Sequence, residues 1–307
     1  MGAKLYYELR IDINPNIEDL VSEIFFENFN CDGVVMAEET YKDLEMVSTT
    51  EGTLKVFLHD EKSTLEDLQY DVENILDVSR MEFLSRGLTE ADLGSWEFIL
   101  EEKQAQDWSK KWKEKWDVTH VTDRIAVVPD WIEYKPKREE IVIKLEPGCA
   151  FGTGTHQTTQ LCMKALEKYM KKGDKVADIG MGSGILSILA SKLGASYVYG
   201  CDNDETVIDV AIENAQKNNS QCHFELGTAD TVNEKFDFVV ANILHFVLAE
   251  IMSDLKNIMK VGAIMSLSGI LEEKKQIVID AYKKSGLLLV EEIKQDQWTS
   301  FVVKRVD

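Results

Sequence analysis

A chain of 307 residues is long enough for one large domain or two ordinary ones, and 44% hydrophobic with 29% charged residues is a globular rather than a disordered composition. No apolar run approaches the roughly 18 residues needed to span a bilayer, and five scattered cysteines without a CxxC spacing argue against a disulfide framework and a zinc site. The formal charge of −21 is concentrated at the front, because residues 1–102 hold 25 of the 55 acids and only 7 of the 34 bases.

The first third reads as six elements. Lys4–Asp12 alternates as a half-buried strand, with Leu5, Tyr7, Leu9 and Ile11 on one face. Asn16 caps a predicted helix over Ile17–Asn28, Gly33–Glu39 is a short strand, Tyr41–Thr50 a connection and Thr53–His59 another strand. Ser63 or Thr64 starts a helix to about Val78, and Ser95–Leu100 is the last strand. The order β-α-β-β-α-β predicts a ferredoxin-like α+β domain over residues 1–100. Its acidic surface repels phosphate backbones, so no direct nucleic-acid binding is expected. The same surface would draw in a basic partner, or would simply keep the protein soluble.

Residues 101–117 read as a helical linker. Trp108, Trp112 and Trp116 stand four residues apart and so form one stripe on a helix, suited to packing against a neighbouring domain. From there to residue 307 lies a second domain, in which helix Gln160–Met170 precedes a strict alternation. Strand Lys175–Ile179 and helix Ile185–Leu193 come first, then strand Tyr197–Cys201 and helix Glu205–Asn218. Strands His223–Leu226 and Phe236–Ala241 follow, then helix His245–Met259, strand Ala263–Ser268 and helix Glu272–Lys284. Strands Leu287–Ile293 and Thr299–Lys304 close the chain as an antiparallel hairpin. The alternation predicts an α/β fold with a mostly parallel sheet, whose ligands bind at the carboxyl ends of the strands.

Three constellations fall at those ends. Asp178-Ile179-Gly180-Met181-Gly182-Ser183-Gly184 follows the first strand and opens a helix. There Gly182 and Gly184 let a ligand approach the backbone, and Asp202 ends the next strand, where a carboxylate can take both ribose hydroxyls of an adenosine. A dinucleotide or S-adenosylmethionine fits this much. The GxGxxG pattern would need glycine at 185, where Ile185 stands, and Asp178 suits a sulfonium and an ammonium better than a pyrophosphate, which favours the methyl donor. The loop Phe151–Thr159 before a helix offers N–H groups and hydroxyls to a carboxylate such as the methionine end of that cofactor. Read alone, it is equally a helix cap with His156 as a turn residue. Asn242 ends a strand at the cleft, where its amide can act near the transferable methyl. No metal ligand set is expected.

The string Glu146-Pro-Gly-Cys-Ala-Phe151-Gly-Thr-Gly-Thr-His156-Gln-Thr-Thr159, then Asp178–Leu186, Asn242-Ile-Leu and Leu267-Ser-Gly-Ile-Leu271, closely resembles the ribosomal protein L-eleven methyltransferase family from about residue 100 onward. The resemblance implies a class I, Rossmann-like methyltransferase domain, with Thr159, Gly180, Asp202 and Asn242 on cofactor positions. It also implies transfer of methyl groups to lysine side chains and the N-terminal amine of a basic large-subunit ribosomal protein, recognised by the front domain. Met181 and Cys149 depart from the family pattern, which usually has Cys and an aliphatic there. A monomer is expected. The start, Met1–Glu8, enters strand-like sequence without a secretory apolar region and, with the scattered cysteines, points to the cytoplasm.

Overall fold

The structure is a computed structural model that describes residues 5–29, 31–36, 52–58, 64–104, 117–145, 154 and 156–307. It divides into two compact units, Met1–Trp116 and Asp117–Asp307. Residues 105–116 of the predicted linker with its Trp stripe, the Tyr41–Thr50 connection, and Phe151 with the string before it lie outside the described residues, while residues 101–104, expected to open the linker helix, are strand paired along the first strand of the chain.

In the first unit, strand β1 (Leu5–Ile13), helix α1 (Glu18–Asn28), strands β2 (Cys31–Met36) and β3 (Gly52–Leu58), helices α2 (Leu65–Ser85) and α3 (Glu90–Leu93) and strand β4 (Phe98–Gln104) follow in order. The sheet runs β2-β3-β1-β4 with every neighbour antiparallel, the ferredoxin-like arrangement. Period-two alternation puts Tyr7, Leu9, Ile11 and Ile13 into the core with Leu54, Val56 and Leu58. Helix α2 presents Leu68, Val72 and Leu76 to that core and starts with a capping box between Thr64 and Asp67. It runs to Ser85, beyond the expected Val78, because no Gly or Pro interrupts it before Gly87. Strand β4 begins three residues later than expected: Trp96 takes a left-handed φ of 59°, and its indole N–H bonds Leu93 O at 2.9 Å, so residues 95–96 belong to a turn.

The second unit begins with a small sheet that the sequence reading did not anticipate, β5 (Thr119–Thr122), β6 (Ile125–Pro129) and β7 (Ile141–Leu145), with β6 buried throughout. Helix α4 (Gln157–Tyr169) follows, then β8 (Lys175–Ile179), α5 (Ile185–Lys192), β9 (Tyr197–Asp202), α6 (Glu205–Lys217), β10 (His223–Leu226) and β11 (Phe236–Asn242). Helices α7 (His245–Glu250) and α8 (Met252–Asn257), strand β12 (Met259–Leu271), helix α9 (Lys275–Lys284), and strands β13 (Leu288–Gln295) and β14 (Trp298–Lys304) complete it. The expected helix over His245–Met259 is thus two helices, broken where Ile251 takes φ −90° and ψ 7°. Strand β12 is twice as long as read, because Gly262 and Gly269 sit inside it with positive φ and bend it rather than end it.

The main sheet runs β10-β9-β8-β11-β12-β14-β13. It is parallel from β10 through β12, and β14 runs antiparallel to both of its neighbours, β12 and β13. Alternation along the central strands feeds two cores. Ala177, Ile179, Val239 and Ala241 face Leu248, Met265 and Phe301, while Val176, Phe238 and Val240 face Leu166, Ile188 and Ile143. Strand order reverses between β8 and β11, which opens a crevice at their carboxyl ends. No described helix is long and apolar enough to cross a membrane.

Candidate active site

Helix α5 has glycine as its N-cap, Gly184, which offers no side chain to the free N–H groups of the first turn. Asp178, at the end of β8, fills that role from outside the helix. Its Oδ2 accepts from Ser187 N–H at 3.0 Å and from Ser187 Oγ at 2.8 Å. The carboxylate is fully buried and its other oxygen, Oδ1, has no hydrogen-bond partner. Burial pushes the Asp178 carboxyl up to about 7, the Ser187 hydrogen bonds oppose the shift, and the charge of Asp202 adds to it. A cationic group in the crevice would offset that cost.

Asp202, at the end of β9, accepts from Gly182 N–H at 2.9 Å through Oδ2 and from Asp204 N–H at 3.1 Å through Oδ1. Its pKa too is raised, first by burial, with those N–H bonds pulling the other way. The Asn203 N–H also contributes, and a carboxylate with about four lone-pair sites still has acceptor capacity for a hydroxyl. The turn itself is held by Asn214 of α6, whose Nδ2 donates to Ser183 O at 3.0 Å. Asn214 lies on the buried face of its helix. A polar residue in that phase, buried in line with Ala211, was the available signal. Met181 is buried, and a Cβ added at Gly200 would lie 2.7 Å from its Sδ, so the bare backbone of Gly200 makes room for the longer side chain.

On the other side of the crevice, His156 caps α4. Its Nδ1 lies 2.7 Å from Thr158 Oγ1 and accepts from Thr158 N–H at 3.4 Å, and its ring meets Trp298 edge-on at 4.9 Å. Ser268 of β12 donates to Thr158 O at 3.1 Å. Thr159, next in the chain, accepts from Asn242 Nδ2 at 3.3 Å. This contact turns the Asn242 amide so that Oδ1 stays buried and without a partner. An unsatisfied buried acceptor costs on the order of 1–3 kcal/mol, which a ligand donor would recover.

The two sides meet at Ile243. A Cβ on Gly180 (φ 70°) would stand 2.4 Å from Ile243 Cγ2, and one on Gly269 (φ 84°) 2.3 Å from Ile243 O. The peptide after Asn242 is therefore seated between the glycine turn and the bend in β12. Gly269→Ala should destabilise the protein by about 3 kcal/mol through strain and backbone overlap and should weaken methyl transfer by displacing Asn242. Chemical denaturation and initial rates check the two effects. No local pattern marks Gly269 within Leu267–Leu271, because its contact partner Ile243 lies 26 residues away in the chain.

Asp178, Gly180, Gly182 and Asp202 thus gather on one side and Thr159 with Asn242 on the other, while Phe151 lies outside the described residues. Two buried oxygens without partners, Asp178 Oδ1 and Asn242 Oδ1, fit the cationic groups of an adenosine-linked sulfonium amino acid. The sheet order, the glycine turn and Asp202 define an S-adenosylmethionine-dependent class I methyltransferase. The family model "Ribosomal protein L11 methyltransferase (PrmA)" matches residues 5–306. The chain is 32% identical to the ribosomal protein L11 methyltransferase of Streptococcus thermophilus over 317 residues, covering 98% of this chain and 96% of that one. It is 39% identical to that of Listeria monocytogenes serotype 4b over 217 residues, 69% of each. A crystal structure of ribosomal protein L11 methylase from Lactobacillus delbrueckii subsp. bulgaricus superposes with a TM-score of 0.59 at 33% identity, covering 62% of this chain and 100% of that one. The chain belongs to the ribosomal protein L11 methyltransferase family.

Proposed function

We propose that this enzyme transfers methyl groups from S-adenosylmethionine to amines of ribosomal protein L11, at lysine side chains and the N-terminal amine. The observation that carries the amine reading is the buried, unpartnered Asn242 Oδ1, an acceptor with no obligation inside the protein. S-adenosylmethionine supplies an electrophilic methyl carbon on a sulfonium. Asp202 would hold the ribose hydroxyls, the turn Gly180–Gly184 the adenosine side, Asp178 the cationic neighbourhood, and Thr159 with Phe151 the amino-acid end.

The amine must arrive neutral and in line with that carbon. A lysine in water has a pKa near 10.4 and is almost all charged. A desolvated crevice beside a cation lowers that value, and Asn242 Oδ1, accepting an N–H bond, aims the lone pair. Positioning of this kind supplies several kcal/mol of barrier reduction without a general base. Residues 1–100 would recognise the substrate, residues 101–117 would link, and residues 118–307 would catalyse. The enzyme would act as a cytoplasmic monomer that does not bind nucleic acid directly.

Labelled S-adenosylmethionine with large-subunit ribosomal proteins tests the reading. Label in L11, on lysine and N-terminal amines, is expected. Label only in RNA, or in other proteins with L11 bare, would overturn it. A second expectation follows from the acidic front third. Raising salt from about 50 to 500 mM should raise KM for L11 by about tenfold through charge screening, and KM for the cofactor by less than about twofold. Equal shifts in both constants would remove the electrostatic part of recognition.

A further inference from the structure

Helix α2 is amphipathic in an unusual way. Its buried side, Leu68, Val72 and Leu76, packs on the sheet of the first unit. The opposite side carries Tyr70, Val78 and Met81, which are 66%, 66% and 72% exposed, among the most exposed large apolar side chains described. At 100° per residue these three fall within an arc of about 80°. Exposed Glu66, Glu73 and Asp77 line one side of the arc and Asp71 the other, while Asp67 in the first turn is engaged in the capping box with Thr64. The helix has a single base, Arg80, and it does not serve this face. It bonds Gly94 O at 2.9 Å, pairs with Glu90, and lies 5.5 Å from the Trp96 ring centroid.

An apolar centre with a charged rim is the anatomy of a docking surface, and the sign of the rim selects the occupant. Nucleic acid and anionic lipid headgroups are repelled by a carboxylate rim. A second copy of the same face would bring like charges together. What remains is a cationic protein surface with an apolar patch. A ribosomal protein, which packs against RNA phosphates, carries the basic excess this needs.

We infer that the outer face of α2 is the docking surface for the cationic protein substrate, with Tyr70, Val78 and Met81 as its apolar centre and Glu66, Glu73 and Asp77 on one side and Asp71 on the other as its rim. The inference rests on the proposed L11 activity. It goes further by assigning recognition to one helix face rather than to the sheet of the first unit.

The test uses the full chain in two variants, Tyr70→Gln/Val78→Gln/Met81→Gln and Glu73→Lys/Asp77→Lys. All five positions are exposed and glutamine and lysine are good helix formers, so melting temperatures should match the parent. KM for L11 should rise at least about tenfold in each variant, while kcat and the cofactor KM stay within about twofold. The charge-reversed variant should also lose most of the salt dependence. Methylation of a short lysine peptide, too small to reach the face, should be equal in all three proteins. Parent activity on L11 with unchanged KM in both variants would overturn the docking surface and leave the activity standing. A parent that leaves L11 unmethylated would remove the activity and the inference together. A parent dimer abolished by the first variant would make the face a self-interface and overturn the inference.

Discussion

Asn242→Ala should lower kcat for L11 methylation about 10²-fold at saturating cofactor, equivalent to about 2.7 kcal/mol of barrier. The alanine leaves Thr159 Oγ1 without its 3.3 Å donor and removes the only buried side-chain acceptor without a partner at the end of β11. The incoming amine then has nothing to orient it. Asn242→Asp separates position from charge: it retains an acceptor but loses the Nδ2 donor to Thr159. It should recover part of kcat if the acceptor matters, and none if the Thr159 contact matters more. Single-turnover methyl transfer with labelled cofactor measures the step directly. A full rate in Asn242→Ala would refute the positioning role.

Asp202→Ala should weaken cofactor binding about 10²-fold, since each hydrogen bond to a charged group contributes about 1.5–3 kcal/mol. The same carboxylate holds the N–H groups of Gly182 and Asp204, so its loss also loosens the turn. Asp202→Asn keeps one acceptor and should fall between the two. Calorimetric titration of the cofactor gives the dissociation constants. The rise in melting temperature at saturating cofactor should shrink in the same order, because ligand stabilisation follows the ratio of concentration to dissociation constant. An Asp202→Ala enzyme that binds the cofactor normally would move the ribose contact elsewhere. Unlike Asn242→Ala, this variant should leave the rate at saturating cofactor comparatively intact.

The two sets of site residues differ in how they could be read. The turn Asp178–Gly184 and Asp202 were legible because their spacing is local. A strand must end before a helix can begin, glycine marks the positive-φ bends, and an acid at the next strand end has one place to point. The ferredoxin-like order was legible for the same reason, from period-two runs such as Tyr7-Leu9-Ile11 and from caps such as Thr64. The sheet β5–β7 was not, because its strands are four or five residues long and one is buried on all sides, so no alternation marks it. The long helix expected over His245–Met259 failed because helical periodicity persists across the break at Ile251, where packing rather than composition decides.

What the sequence by itself determined is therefore the inventory: an α/β half with a glycine turn, an acid and an asparagine at strand ends, and an acidic front third. The tertiary structure alone decided what each group is free to do. Asp178 spends one oxygen on Ser187, nine residues on. Asn242 spends its donor on Thr159, 83 residues back, and Ile243 is wedged between Gly180 and Gly269. Hydrogen bonds and close contacts over such separations leave no periodic trace in the chain. Yet it is these contacts that leave the second oxygens of Asp178 and Asn242 buried and unpartnered at the carboxyl ends of the strands, the arrangement on which the proposed amine chemistry rests.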